Sequence, residues 1–423
     1  KNLTKMFNPK VVAIYGASAR VGSVGHALMD NIIGSGFDGI VYPVNPKRTN
    51  VLGVKAYNSI QDIPDQVDLV IIATPAKTAP TIVEDCGIAG VSSVLLISAG
   101  FAEAGAEGKR LMSKISETIR KYNMSLIGPN CLGFIKPSVK FNATFASKMA
   151  LPGKIAFISQ SGALCTAILD WSIEQNVGFS HFVSIGSMMD ISFHDLIDYF
   201  GTDPHTNSIV IYMESLTDAR SFLSAARAFA RNKPIIVLKS GKSSEGAQAA
   251  MSHTGSLAGN DFVFDAAFKR AGVIRVDTIE ELFHIAQALS MQPRPIKNRL
   301  AIVTNAGGPG VIATDTLIAN GGKLATLSND IIEELNQHLS PHWSKGNPLD
   351  VLGDAGPEQY SKALEICAKD KGVDGILVIL TPQSMTDPTA VARKLAEIEK
   401  KCKKTVLACW MGASDIYEGQ KVL

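Results

Sequence analysis

Short apolar runs alternate with longer amphipathic stretches along the whole chain. Val11-Val-Ala-Ile-Tyr15, Lys154–Ser159, Ser208–Met213, Ile235–Lys239 and Thr405–Met411 are apolar runs rich in β-branched and aromatic residues, and each ends at glycine, serine or glutamate. Runs of this length with no polar alternation read as strands buried on both faces. Between them, helical periodicity covers Ala163–Glu174, a long stretch beginning near Asp261, and Val311–Asn320. Strand and helix in strict alternation predict an α/β protein built on parallel sheets.

The pattern restarts twice. A first unit closes before Leu151-Pro-Gly153, a second closes at Gln292-Pro-Arg-Pro295, and a third opens at Arg299. The proline pair suits a linker, because proline fixes φ and removes a backbone donor. The predicted units are residues 1–148, 149–293 and 296–423. Each is expected to be a doubly wound domain whose opening strand runs straight into a small-residue turn: Gly16-Ala-Ser18, Ser159-Gln-Ser-Gly162 and Asn305-Ala-Gly-Gly-Pro-Gly310. Ligands of open α/β sheets bind at such carboxyl ends.

Composition narrows the function classes. The 423 residues carry a net charge of +2, with no basic tract for nucleic acid and no acidic tail. No apolar run reaches the length of a membrane span, and Lys1-Asn-Leu-Thr-Lys5 lacks a signal-peptide core. The six cysteines show no C-x-x-C pair and no metal-ligand spacing. Cys165 follows a strand and Cys409 sits within one, so buried thiols in a reducing cytosol are expected. His338 and His342, near Pro341, lack suitably spaced acidic or cysteine partners and read as surface residues.

The first turn, from Val11 to Gly22, resembles a dinucleotide fingerprint and then departs from it. Ser18 stands where the second glycine belongs, and the next strand ends in Asn45-Pro46 where a ribose-binding acid is expected. Arg20, Lys47 and Arg48 lie nearby instead, and cations suit a ligand with an extra ribose phosphate, such as coenzyme A. Three more strand ends are candidates by position: Thr74-Pro75-Ala76, Ser98-Ala99-Gly100-Phe101 and Gly128-Pro129-Asn130.

In the second unit the turn Ser159-Gln160-Ser161-Gly162 opens a helix, whose unsatisfied amides and positive dipole end favour phosphate by about 1 kcal/mol. Glu214 follows the strand Ser208–Met213, where it can accept from an imidazole and leave the other ring nitrogen nucleophilic. The alternative is a helix cap or a solvated carboxylate. Met251-Ser-His-Thr-Gly-Ser-Leu-Ala-Gly259 presents His253 among small and hydroxyl residues. A loop histidine by itself is an ordinary packing residue, but a neutral imidazole beside phosphate-type loops can attack phosphorus. In the third unit Asn305, Gly307 and Gly308 precede another helix, so two helix N-termini and one histidine would suit a phosphorylated side chain. Asn347-Pro-Leu-Asp350 and Thr381-Pro-Gln383 are candidate turns.

Three other readings compete. Ser161, Glu214 and His253 follow the order of an α/β-hydrolase triad, but the G-x-S-x-G elbow lacks its first glycine. A dehydrogenase lacks its ribose acid. A ligand-sensing protein fits the same loops without chemistry.

Taken together, Gly16-Ala-Ser18, Gly128-Pro-Asn130, Ser159-Gln-Ser-Gly162, Ser252-His-Thr-Gly255, Asn305-Ala-Gly-Gly308 and Asn347-Pro-Leu-Asp350 resemble the nucleoside-diphosphate-forming acyl-CoA synthetases. These are relatives of succinyl-CoA synthetase, and the likeness covers nearly the whole chain, best in the alpha part of the ADP-forming acetate enzymes. The resemblance implies a Rossmann-like CoA-binding domain followed by two flavodoxin-like ligase-CoA domains. It implies His253 as a transient phosphohistidine supported by Glu214. Coenzyme A would lie on Gly16, Ser18, Arg20, Asn45, Lys47, Thr74, Pro75, Ser98, Ala99, Gly100 and Asn130. Phosphate would lie on Ser159, Gln160, Ser161 and Gly162 with Asn305, Gly307 and Gly308, and no metal is bound by the chain itself. It further implies an acyl-CoA substrate, an oligomeric cytoplasmic assembly, and ADP/ATP with Mg handled by an ATP-grasp subunit or fused domain. No stretch reads as that unit, so the chain is expected to be a fragment or one of two subunits. Relatives in which such a module senses CoA beside an acetyltransferase domain are the alternative.

Overall fold

The structure is a computed structural model describing residues 1, 3–248 and 260–423. The chain divides into two compact units, Lys1–Ser290 and Met291–Leu423.

The first unit holds two large sheets and a two-stranded ribbon of Asn50–Val51 with Val54–Lys55. The strands β1 (Val11–Tyr15), β2 (Ile40–Val44), β3 (Leu69–Ile72), β4 (Ser93–Leu96) and β5 (Ser125–Ile127) form a parallel sheet in the order 2-1-3-4-5. Helices α1 (Val24–Gly34), α2 (Ala79–Ile88) and α3 (Ala106–Lys121) connect it. Helix α3 shows why these segments fold as they do: Gly108, Leu111, Ile115 and Ile119 recur on one face and are buried, while the opposite face is charged. The strand order reverses between β1 and β3, and the chain turns Gly16 and Thr74 lie there.

The second sheet contains β6 (Gly133–Lys136), β7 (Phe141–Thr144), β8 (Pro152–Ser159), β9 (Phe179–Ser184), β10 (Ser208–Met213), β11 (Ile235–Lys239) and β12 (Ile274–Val276). Its order is 12-11-10-8-9-6-7, parallel except for the antiparallel pairing of β9 with β6 and of β6 with β7. Strands β6 and β7 fall in the stretch that sequence periodicity groups with the first sheet, yet they extend the second. Backbone pairing of β6 with β9, from Phe182 opposite Ile135 to Ser184 opposite Gly133, places them there, while Phe134 and Phe141 are fully buried against Phe7 and Phe37 of the first-sheet segment. The two sheets therefore share one hydrophobic core, running from Val12 and Ile14 through Phe134 to Ile158 and Val183. Helices α4 (Gly162–Glu174), α5 (Phe193–Thr202), α6 (Ala219–Phe229), α7 (Asp261–Ala271) and α8 (Ile279–Met291) complete the layers.

The second unit is a parallel sheet of β13 (Arg299–Thr304), β14 (Lys323–Leu324), β15 (Leu349–Asp350), β16 (Gly375–Leu380) and β17 (Thr405–Trp410). Its helices are α9 (Gly307–Ala319), α10 (Asn329–His338), α11 (Pro357–Lys369) and α12 (Pro388–Glu399). Helix α9 begins at Gly307, so the glycines expected in a turn form its first turn instead. Strand β17 lies at a sheet edge, and Leu407, Ala408 and Cys409 on it are exposed. Cys409 is therefore not the buried thiol that its strand position suggests. Cys86, Cys131, Cys165 and Cys367 are buried, and burial pushes the Cys131, Cys165 and Cys367 thiols up to about 12. His338 and His342 are exposed, and no cluster of metal-ligating side chains occurs among the described residues. No described helix is long and apolar enough to cross a membrane.

A cavity between two strand-end loops, the candidate active site

The carboxyl ends of both sheets in the first unit border one cavity of about 790 Å³. The first sheet contributes Thr74, Pro75, Ser98, Ala99 and Asn130; the second contributes Gln160, Ser161, Gly162 and Glu214. The structure thus brings together nine of the residues singled out from sequence, from strand ends up to 140 positions apart (Thr74 to Glu214).

Each wall is braced locally. On the first sheet, Ser98 donates to the Thr74 carbonyl at 2.5 Å, and the Asn130 amide donates to the Ser98 carbonyl at 2.9 Å. Asn130 adopts a left-handed φ of 55°, which an asparagine tolerates better than most side chains. The Gly100 amide donates to Glu103 at 2.6 Å, and Glu103 also lines the cavity. Gly16, Ser18, Arg20, Asn45 and Lys47 sit beyond the cavity lining, at the ends of the adjacent strands β1 and β2. Gly16 has a φ of 85°, and a Cβ there would lie 2.9 Å from the Ala73 carbonyl oxygen, so the turn excludes other residues. Asn45 joins the two turns: its amide donates to Ala17 O at 2.9 Å while its oxygen accepts from Lys47 N at 2.9 Å. Ser18 accepts from Arg20 N at 3.0 Å, and Arg20 and Lys47 are exposed.

On the second sheet, Ser159 is fully buried, accepting from Ser161 N at 3.1 Å and donating to Ser161 O at 2.9 Å. It builds the turn and does not reach the cavity. Ser161 is the N-cap of α4, with its hydroxyl accepting from Leu164 N at 3.3 Å. The hydroxyl is thus engaged in capping the helix. The first amides of α4 are left without intrahelical partners and point from a positive dipole end. Glu214 is buried to 7% exposure in the cavity wall. His253, with Ser252, Thr254, Gly255 and Ser256, lies outside the described residues.

In the second unit Asn305 is buried, and its amide is occupied by Thr381: it donates to Thr381 O and accepts from Thr381 N, both at 2.9 Å. Gly307 and Gly308 open α9, and a Cβ on Gly308 would meet no atom of the described residues within 4 Å. Asn347 is a structural cross-link, accepting from Ile302 N and donating to Leu300 O and Ala325 O.

Sequence reasoning missed Ser215, Thr217, Phe145 and the Gly186-Ser187-Met188 turn, all of which line the cavity. The last of these follows β9 and was open to the same strand-end rule. Phe145 is 40% exposed and nothing in its sequence surroundings marks it.

Family comparison follows the same layout. Residues 10–137 match the CoA binding domain, 152–289 the succinyl-CoA ligase like flavodoxin domain, and 300–419 the ligase-CoA domain. Fold and site together define a CoA-ligase class of α/β protein. The chain belongs to the nucleoside-diphosphate-forming acyl-CoA synthetases. It is 44% identical over 404 residues to the acetate–CoA ligase (ADP-forming) I subunit alpha of Pyrococcus furiosus, covering 94% of this chain and 86% of that one. It is 43% identical over 421 residues to the acetate–CoA ligase (ADP-forming) I of Archaeoglobus fulgidus, covering all of this chain but spanning only 60% of that protein's length. The structure of the dinucleotide forming acetyl-coenzyme A synthetase 1 of Ca. Korarchaeum cryptofilum, solved in complex with phosphate and ADP, superposes with a TM-score of 0.95 at 36% identity over 99% of this chain and 90% of that one.

Proposed function

We propose that the chain is the alpha part of an ADP-forming acyl-CoA synthetase, interconverting acyl-CoA, phosphate and ADP with free acid, CoA and ATP. The observation that carries this reading is the shared cavity, where strand ends of the CoA-binding-type sheet meet the α4 N-terminus and Glu214. Coenzyme A lies along the first sheet, with Arg20 and Lys47 placed for its ribose phosphate and Ser98 and Asn130 nearer its thioester. Phosphate sits at the α4 amides and attacks the thioester carbonyl; the C–S bond breaks and an acyl phosphate forms. The neutral imidazole of His253 then attacks phosphorus, the acid leaves, and the phosphoimidazole is stabilised by the Glu214 carboxylate. Asn305, Gly307 and Gly308 form the second phosphate station, through the α9 amides and not through the Asn305 side chain. Delivery to ADP, with Mg, falls to an ATP-grasp subunit or domain. The reduced cysteines suit a cytoplasmic location.

Incubating the full chain with acetyl-CoA and labelled phosphate tests this reading. The label should be acid-labile and alkali-stable, as a phosphoramidate is, and should remain on the chain with ADP until an ATP-grasp part is supplied. His253→Ala abolishes it, whereas Ser161→Ala weakens it. An acid-stable ester lost in Ser161→Ala, or no label at all, refutes the reading.

A further inference from the structure

Gln160 belongs to the turn assigned to phosphate and lines the cavity, but its side-chain amide is engaged by the neighbouring strand end. Its Oε1 accepts from two successive backbone amides, Glu214 N at 2.5 Å and Ser215 N at 2.9 Å, and its Nε2 donates to Ser215 Oγ at 3.2 Å. All three contacts are buried, 54 or 55 residues away in sequence. They clamp the first two residues after β10 to the first residue but one before α4. Glu214 enters the cavity from the clamped segment.

The second unit repeats the construction. Ser159 pairs with Tyr212 across β8 and β10, and Thr304 pairs with Ile379 across β13 and β16. In each case the hydroxyl residue builds its own turn, by bonds of 3.1 and 2.9 Å to Ser161 and of the same lengths to Ala306. The next residue is an amide, Gln160 or Asn305. In each case that amide oxygen accepts from the backbone N–H two positions beyond the register partner, Glu214 or Thr381. Two sheets with unrelated loop lengths thus use one device to fix the end of the neighbouring strand. Only in the first unit does the fixed position carry a carboxylate.

We propose that Gln160 is a positioning residue: it acts on the phosphoryl-transfer step by holding Glu214, and its side chain gives no bond to phosphate. The amide suits this role because it offers an acceptor to two N–H groups and a donor to a hydroxyl without adding charge beside Glu214. Removing the acceptor leaves two buried N–H groups unpaired, and the segment must shift to resolvate them. The proposal rests on the phosphohistidine reading, which the wild-type control tests separately.

Gln160→Met keeps the volume and removes the acceptor. In the full chain labelled from acetyl-CoA and phosphate, it should slow labelling at saturation roughly tenfold while leaving the half-saturating phosphate concentration unchanged. In a Glu214→Gln background the same substitution should change the rate little, because both act through one carboxylate. The Glu214 and Ser215 amides should exchange with deuterium faster in Gln160→Met. Gln160→Glu retains the acceptor oxygen but adds a charge beside Glu214, so it should keep the Glu214 and Ser215 amides protected from exchange while slowing labelling, and it serves if Gln160→Met fails to fold. A raised half-saturating phosphate concentration, additive effects of Gln160→Met with Glu214→Gln, unchanged amide exchange in Gln160→Met, or amides that exchange as fast in Gln160→Glu as in Gln160→Met each overturn the positioning role. A wild-type chain that takes no label overturns the phosphohistidine reading itself, and that control alone reports it.

Discussion

Acidification is expected to destabilise the first unit through one side chain, His181 on β9. The ring is 1% exposed and neither nitrogen has a hydrogen-bond partner among the described residues. Phe7, Tyr199 and Phe200 surround it, with ring centroids 5.3, 6.1 and 4.7 Å away. The Asp203 carboxylate stands 3.7 Å from Nδ1, too far for a hydrogen bond, and accepts from Thr206 and His205. Burial, followed by the Lys136 ammonium, outweighs Asp203 and lowers the imidazole from 6.5 to about 3. The folded pKa is depressed, so below 6.5 the unfolded chain binds a proton that the folded chain refuses. Stability from this group is complete above the unfolded value and is lost as pH falls from 6.5 toward 3. At about pH 5 the folded ring is still neutral, so the loss is set by the unfolded titration: about 1.5 pH units at about 1.36 kcal/mol each, or about 2 kcal/mol. Urea unfolding at about pH 7.5 and about pH 5, with pulse proteolysis read on β9 peptides, measures it. His181→Phe keeps an aromatic ring among aromatic rings and removes the titration, so about 2 kcal/mol of the wild-type pH dependence should vanish. A His181→Phe protein with the wild-type pH dependence refutes the reasoning.

Two further outcomes are expected. Calorimetry should show coenzyme A binding without tight NAD binding, because Ser18 and Asn45 replace the glycine and the acid of a dinucleotide site and Arg20 and Lys47 stand nearby; tight NAD binding alone refutes this. Gly25→Ala places a Cβ 1.9 Å from the Gly16 carbonyl oxygen, so it should cost about 1–3 kcal/mol of stability and weaken CoA binding, whereas Gly34→Ala at the other end of α1, where a Cβ meets no atom of the described residues within 4 Å, should do neither. Denaturant unfolding and calorimetry check both variants.

The sequence by itself determined the elements and the ligand-facing turns. Buried parallel strands need continuous apolar runs, and a strand that ends beside a ligand needs a small or polar turn; both signals are local, so β1, β8, β10, β11 and β13 and their turns were legible. Tertiary structure alone decided which strands share a sheet and what each polar side chain does. Strands β6 and β7 joined the second sheet through the pairing of β6 with β9, and no periodicity names a partner sheet. Gln160 and Asn305 read as phosphate residues from their place in a turn, but their amides are taken by backbone groups 54 and 76 positions away. A hydrogen bond of that kind depends on strand register, and register is fixed only when the whole sheet packs.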